Sequence, residues 1–146
     1  MTYQPVMDAA TLRQYVAEVF PQAGSRWSVS ALGPGTVSVT MAVSDRSLRP
    51  GGTISGPTMF FLADVTAYVL ILAHIGKVEL AVTTSLNINF LSRPPLGDLI
   101  AHGRLIKLGK RLAVCEIHLH GQADDTMVAQ ATATYSLPPG DRAAGQ

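Results

Sequence analysis

The sequence predicts an α+β fold: an antiparallel sheet curled around one long, buried helix. Three observations predict it. Residues 57 to 75, "PTMFFLADVTAYVLILAHI", are apolar on nearly every face, so the helix they form must be wrapped by other elements. Four segments of alternating character follow, separated by short breaks rich in turn residues. A further alternating pair lies ahead of the helix, around "GPG". A sheet of this size buries an all-round apolar helix by curling around it.

Taken in order, "DAATLRQYVAEVF" (8–20) reads as a helix. Asp8 caps it, Leu12, Tyr15, Val16 and Val19 form one stripe, and Pro21 stops it. "RWSVSALG" and "TVSVTMAV" alternate with period two and form a hairpin. "DRSLRPGGTISGP" is a loop rich in glycine and proline. The central helix, 57–75, starts with Pro57 in the first turn, where a missing N–H costs nothing. Gly76 suits its C-terminal cap, and His74 fits stabilisation of the dipole there. Strands are predicted over 81–91, 99–108, 111–121 and 126–137, joined by hairpin-type connections. The tail, 138–146, is expected to be disordered, and the whole chain, 1–146, to form one domain.

Composition narrows the function classes. Hydrophobic residues make up 47% and charged residues 14%, against about a quarter charged in ordinary domains. So charge-poor a surface predicts that part of it is covered by another copy. A net charge of +1 supplies no basic field for nucleic acid or an anionic membrane. Cys115 is the only cysteine, so no internal disulfide forms, and its place on an apolar strand face makes it packing. The N-terminus lacks signal-peptide character, and the apolar run after Asp64 is too short to span a bilayer; a soluble cytoplasmic protein is expected. "GPG" and "PGG" are not phosphate loops, and there is no Gly-x-Ser-x-Gly elbow. Ser85 and Ser92 have no base near them in sequence. His118 and His120 share a strand face, but no third ligand is placed beside them, so no metal is expected.

One residue breaks the apolar helix. Asp64 has no basic residue three or four positions away: 60, 61, 67 and 68 are Phe, Phe, Ala and Tyr. A buried carboxylate needs a partner, so Asp64 either takes one from elsewhere, Tyr68 or backbone N–H groups among them, or faces a cleft. The helix start, "GGTISGP", offers a second clue. A glycine-rich loop leading into a helix N-terminus presents free N–H groups and the positive end of the dipole to an anion, including a developing oxyanion. Gly56 and Asp64 are eight residues apart, roughly 12 Å along the axis at ~1.5 Å per residue. One carbonyl cannot touch both within one chain. Two antiparallel copies of the helix would set Asp64 of one against the helix start of the other.

The loop, the helix with its single acid, and "LNINFLSRPPLGD" followed by "IKLGKRLAVCEIHLHGQADDTMVAQATATYSL" resemble the hotdog-fold acyl-CoA thioesterases, most closely the phenylacetate-degradation (PaaI-like) branch. The resemblance covers about residues 30 to 137. It implies a hotdog fold, a homodimer or homotetramer with composite sites, an acyl-CoA substrate, and no cofactor beyond the coenzyme A of the substrate. In that family a His-Gly-Gly sequence opens the helix and the catalytic acid lies nine residues after the His. Ser55, Gly56 and Pro57 fill the first three positions here, and Asp64 has the acid's spacing. The resemblance implies that the Gly56 N–H polarises the thioester carbonyl, that Asp64 of the neighbouring subunit is nucleophile or base, and that Thr83 assists. Arg49 stands where the family often has an amide. Lys110 and Arg111 resemble the site for coenzyme A phosphates, with Arg93 adding to it.

Two departures matter. Ser55 replaces the His. Pro57 replaces the second Gly and removes one N–H donor, and such a loss can cost about 2.7–4 kcal/mol of transition-state stabilisation. An acyl-CoA-binding protein with little catalysis is therefore the alternative function. A hydratase would want a His at position 69, which is Val. Phe60, Phe61, Tyr68 and Trp27 are candidates to line an aryl or a fatty acyl pocket. Asn87 and Asn89 alternate with Leu86, Ile88 and Phe90, giving their strand one polar face.

Overall fold

The computed structural model describes residues 3–78, 80–94, 96–122 and 124–139, with Arg46 described by its backbone alone. Residues 140–146 of the expected disordered tail lie outside the described residues. The elements are α1 (Ala9–Val19), β1 (Trp27–Gly33), β2 (Thr36–Met41), β3 (Leu48–Arg49), β4 (Thr53–Ile54), α2 (Gly56–Ile75), β5 (Val82–Phe90), β6 (Leu99–Leu108), β7 (Leu112–Gly121) and β8 (Met127–Ser136). Short 3₁₀ turns sit at Pro21–Ala23 and Asp45–Ser47.

Six strands form one sheet in the order β1-β2-β6-β7-β8-β5, every neighbouring pair antiparallel. The sheet curls around α2, which packs against β2, β5, β6, β7 and β8. The expected α+β hotdog arrangement is thus the observed one. The core is the helix together with the inward residues of the strands, among them Val37, Val39, Leu99, Ala101, Ile117, Leu119, Ala131 and Ala133. Gly103 lets β6 lie close to α2: a Cβ there would stand 3.2 Å from side-chain carbons of both Leu70 and Thr66. α2 is the one helix among the described residues long and apolar enough to cross a membrane, and most of it is buried by its own sheet.

Four expectations need correction. The connection from β5 to β6 is not a hairpin. β5 pairs with β8 at the sheet edge, whereas β6 lies between β2 and β7, so the chain crosses over between them. The loop before α2 contains a small ladder, β3 against β4, whose turn uses positive φ at Gly51 and Gly52. Trp27 is not in the lining of the cavities at Asp64 and Gly56: it is buried, with the Arg13 guanidinium 4.0 Å above its ring. His74 is no cationic partner of the helix dipole. It is fully buried; its Nδ1–H donates to the Leu70 carbonyl (2.8 Å) and its Nε2 accepts from the Gly35 N–H (2.9 Å), an arrangement only the neutral ring makes. Burial pushes its pKa below the ordinary histidine value, against the pull of the Leu70 and Gly33 carbonyls.

Candidate active site

Only one stripe of α2 escapes the sheet. Pro57 and Phe60 are exposed, and Phe61 and Asp64 are half-buried. The spacing i, i+3, i+4, i+7 places these four on one side of the helix. Asp64 therefore stands at the border between the core and an open apolar surface.

Two hydroxyls hold its carboxylate, and both bind the same oxygen. Thr83 Oγ1 donates to Asp64 Oδ1 at 2.8 Å, and Tyr135 Oη donates to the same Oδ1 at 2.8 Å. Thr83 and Tyr135 are directly opposed across β5 and β8. Strict alternation would turn Thr83 to the outer face with Asn87 and Asn89. A bulge between Thr83 and Ser85 shifts the register, so Thr83 falls on the inner side with Leu86, Ile88 and Phe90. The partner Tyr135 had no sequence signal, being 71 residues from Asp64 on another element. Tyr68, the aromatic expected beside Asp64, stacks on Tyr135 instead, with centroids 6.3 Å apart and planes at 25°. Burial and the Asp64 charge push the Tyr135 phenol far above its ordinary pKa. They also push the Cys115 thiol up to about 12, which removes it as a nucleophile.

Asp64 lines two cavities. One, of about 360 Å³, is walled by Phe20, Phe61, Tyr68, Val82, Thr83 and Tyr135. The other, of about 500 Å³, runs along the open stripe past Phe60, Phe61, Ile88 and Phe90 to Pro57 and Gly56. A third, of about 350 Å³, lies at the helix start and brings together Arg49, Gly56, Ser92 and Arg93. Phe20 and Val82 are wall residues that the sequence reading missed.

The helix start has one amide to offer. Ser55 is the N-cap and accepts from the Thr58 N–H at 3.2 Å, and its hydroxyl also meets the Thr58 hydroxyl at 2.7 Å. Pro57 has no N–H, and the Met59 N–H donates to the Ser55 carbonyl. Among the described residues the Gly56 N–H is left without a partner. Ser55, in the family's His position, thus serves as a cap.

The structure brings Asp64, Thr83 and Tyr68 into one cavity and Arg49, Gly56 and Arg93 into another. Lys110 and Arg111 line none of the three. They are exposed in the β6–β7 turn, where the Arg111 carbonyl accepts from the Leu137 N–H, two residues past Tyr135. On the outer face of the sheet, His120 meets His102 (Nε2 to Nε2, 2.9 Å), and His118 lies beside Glu116 at 3.4 Å. No group of three or more His, Cys, Asp or Glu side chains is placed to hold a metal among the described residues.

Comparison with known proteins places this geometry. The model of the thioesterase superfamily matches residues 51–128, which includes α2 and the strands β5, β6 and β7. An inferred esterase of Pseudomonas aeruginosa is 30% identical over 101 residues, 68% of this chain and 74% of that protein. The crystal structure of an inferred thioesterase from Silicibacter sp. TM1040 is 47% identical, covers 94% of this chain and 96% of its own, and superposes with a TM-score of 0.87. A Streptococcus mutans protein solved with acetyl-CoA bound is 27% identical, covering 80% of this chain and 92% of its own at a TM-score of 0.71. The matched segment holds both the Gly56 amide and the Asp64 carboxylate, and the chain belongs to the thioesterase superfamily.

Proposed function

We propose that the protein is an acyl-CoA thioesterase of the phenylacetate-degradation type, working as a dimer with two composite sites. The observation that carries this reading is the state of Asp64. Its Oδ1 is occupied by two hydroxyls, no donor among the described residues reaches its other oxygen, and Asp64 lines the same apolar cleft as Gly56, whose amide has no partner among the described residues. A water molecule attacks the thioester carbonyl carbon and gives its proton to Asp64. The carbonyl oxygen becomes an oxyanion facing the Gly56 N–H of the other subunit. The C–S bond then breaks, the proton passes to the departing sulfur, and the carboxylic acid and the free thiol leave.

The dimer rests on the edge strand and the helix stripe. β5 has nine residues, no proline and no charged side chain, and among the described residues only one of its edges is paired, to β8. Protected edges carry lysines, prolines or bulges along the strand, and this one has only the bulge near its start. Beside it, Pro57, Phe60 and Phe90 are exposed. A second copy pairing at β5 covers both, and the two-fold axis sets Gly56 of each subunit against Asp64 of the other. The bound acetyl-CoA of the Streptococcus mutans protein supports a coenzyme A ester as substrate here. Arg49 and Arg93, beside Gly56, supply positive charge for its phosphates.

The test is thiol release from short, medium, long and aryl acyl-CoAs, with Asp64→Asn beside the wild type. Release that falls by about 10²–10⁴-fold in the variant is expected, the usual span for a lost acid–base group. Binding of acyl-CoA with no release from any of them would replace the enzyme with a carrier, and would make Pro57, which costs the site one donor, the residue to change next.

A further inference from the structure

We propose that Tyr135 is a positioning residue that commits Asp64 Oδ1 to the protein, so that Oδ2 is the oxygen that reacts. The inference deepens the thioesterase reading and rests on it for its catalytic meaning, while its geometry stands apart.

Both donors aim at one atom. Thr83 and Tyr135 each reach Oδ1 at 2.8 Å, and among the described residues no donor reaches Oδ2. A carboxylate can accept about four hydrogen bonds over its two oxygens, so this concentration on one oxygen is a choice made by the scaffold. The scaffold is rigid at this point. Tyr135 is 2% exposed, stacks on Tyr68, and Tyr68 meets Phe20 edge-on at 6.3 Å. The phenol oxygen also lies 3.3 Å from the Asp64 backbone carbonyl, and its single hydrogen goes mainly to the nearer Oδ1 at 2.8 Å.

The direction of the bond is fixed as well. A buried phenol beside a carboxylate stays protonated across the working range, so it can only donate to Oδ1. A proton arriving on Asp64 then finds Oδ1 taken twice over and settles on Oδ2. That sets the traffic of the reaction. The O–H bond of water breaks as the proton joins Oδ2, and the same proton leaves from Oδ2 to the thiolate, with Tyr135 and Thr83 unchanged throughout.

Donation to a charged acceptor favours the ionised form, and its removal favours the protonated one. The experiment compares wild type, Tyr135→Phe and Thr83→Val by two readouts. One is the side-chain carboxyl ¹³C signal of Asp64 followed through pH in the unliganded protein. The other is the pH profile of kcat/KM for thioester hydrolysis. In Tyr135→Phe the carboxyl signal and the acid limb of the profile are expected to move together to higher pH, the direction that follows from one lost donor to the charged form. Thr83→Val is expected to move both the same way. A purely structural role for Tyr135 lowers stability and leaves both midpoints in place. A difluorotyrosine at 135 keeps the ring in position and donates more strongly, so it moves both midpoints to lower pH and decides the matter even if Tyr135→Phe folds poorly. Unmoved midpoints in the folded variants overturn the proposal. If wild type releases no thiol from any acyl-CoA, the thioesterase reading fails, and the carboxyl titration alone still decides the role of Tyr135.

Discussion

If the site is composite, as proposed, two inactive proteins restore each other. Asp64→Asn keeps the shape of the carboxylate and lets its remaining oxygen accept from Thr83 and Tyr135, so the fold survives and the base is lost. Gly56→Pro removes the one free amide at the helix start, at the first helical position where proline is best tolerated, after a Ser55 already in extended backbone (φ −75°, ψ 152°). Within a chain the two groups are about 12 Å apart along the axis. A carbonyl oxygen must sit about 2.7–3.1 Å from its donor, while its carbon, one bond away, takes the nucleophile at about 3–3.5 Å, so a single subunit falls short by several ångströms. In a mixed dimer, the unchanged Asp64 of one subunit meets the unchanged Gly56 of the other, giving one working site of two. Random re-pairing of an equal mixture makes half the dimers mixed, so recovery to about a quarter of wild-type activity is expected for such a two-fold site. The assay is thiol release before and after subunit exchange, with mixed dimers counted by native mass spectrometry. Mixed dimers that form and show no more activity than the separate variants refute the cross-subunit site.

Two further predictions concern stability. His74 is neutral in the fold and titrates below its ordinary 6.5, so the unfolded chain takes up a proton that the folded one refuses. Its contribution is intact above about pH 6.5 and is lost as the pH falls toward the folded-state value, at a limiting slope of about 1.4 kcal/mol per pH unit. Urea unfolding at several pH values is expected to give a shallower acid loss for His74→Gln than for wild type, and parallel curves would contradict the neutral assignment. Gly103→Ala drives a methyl to 3.2 Å from Leu70 and Thr66, and Thr66 is tied by its hydroxyl to the Leu62 carbonyl at 2.7 Å. Overpacking there is expected to cost about 1–3 kcal/mol, read as a lower denaturation midpoint, and an unchanged midpoint would show that the helix can yield.

How much of this was legible in the sequence depended on range. The all-round apolar character of residues 57–75 dictates a wrapped helix, and the period-two pattern of 99–108 and 111–121 gives β6 and β7 almost residue for residue, because both signals are local. Gly56 and Asp64 stood out for the same reason: one amide at a helix start and one charge in an apolar run. What escaped was set by distant pairing. Nothing near β5 says that its partner is β8 at the far end of the chain rather than β6. The bulge after Thr83 reverses the facing of a residue without altering the composition of the strand. Tyr135 reads as an ordinary strand aromatic until β8 brings it under α2, and His74 reads as a surface cation until the Gly35 amide closes on it. Local pattern identifies the groups that are out of place, and only tertiary structure shows what answers them.

The order of elements along the chain has a consequence for synthesis. α2 leaves the ribosome when only α1, β1, β2 and the small β3–β4 ladder exist to cover it, and the strands β5 to β8 that complete its wrapping come afterwards. At ~5–20 residues per second, the roughly sixty residues from the end of α2 to the end of β8 take about 3–12 s. For that interval the nascent chain displays a helix apolar enough to pass for a membrane segment, interrupted by one carboxylate. Asp64, uncompensated until Thr83 and Tyr135 arrive, is the only charge that keeps this segment in water. The residue proposed as the base is thus also the one charge that stands against misrouting and aggregation of an unfinished polypeptide.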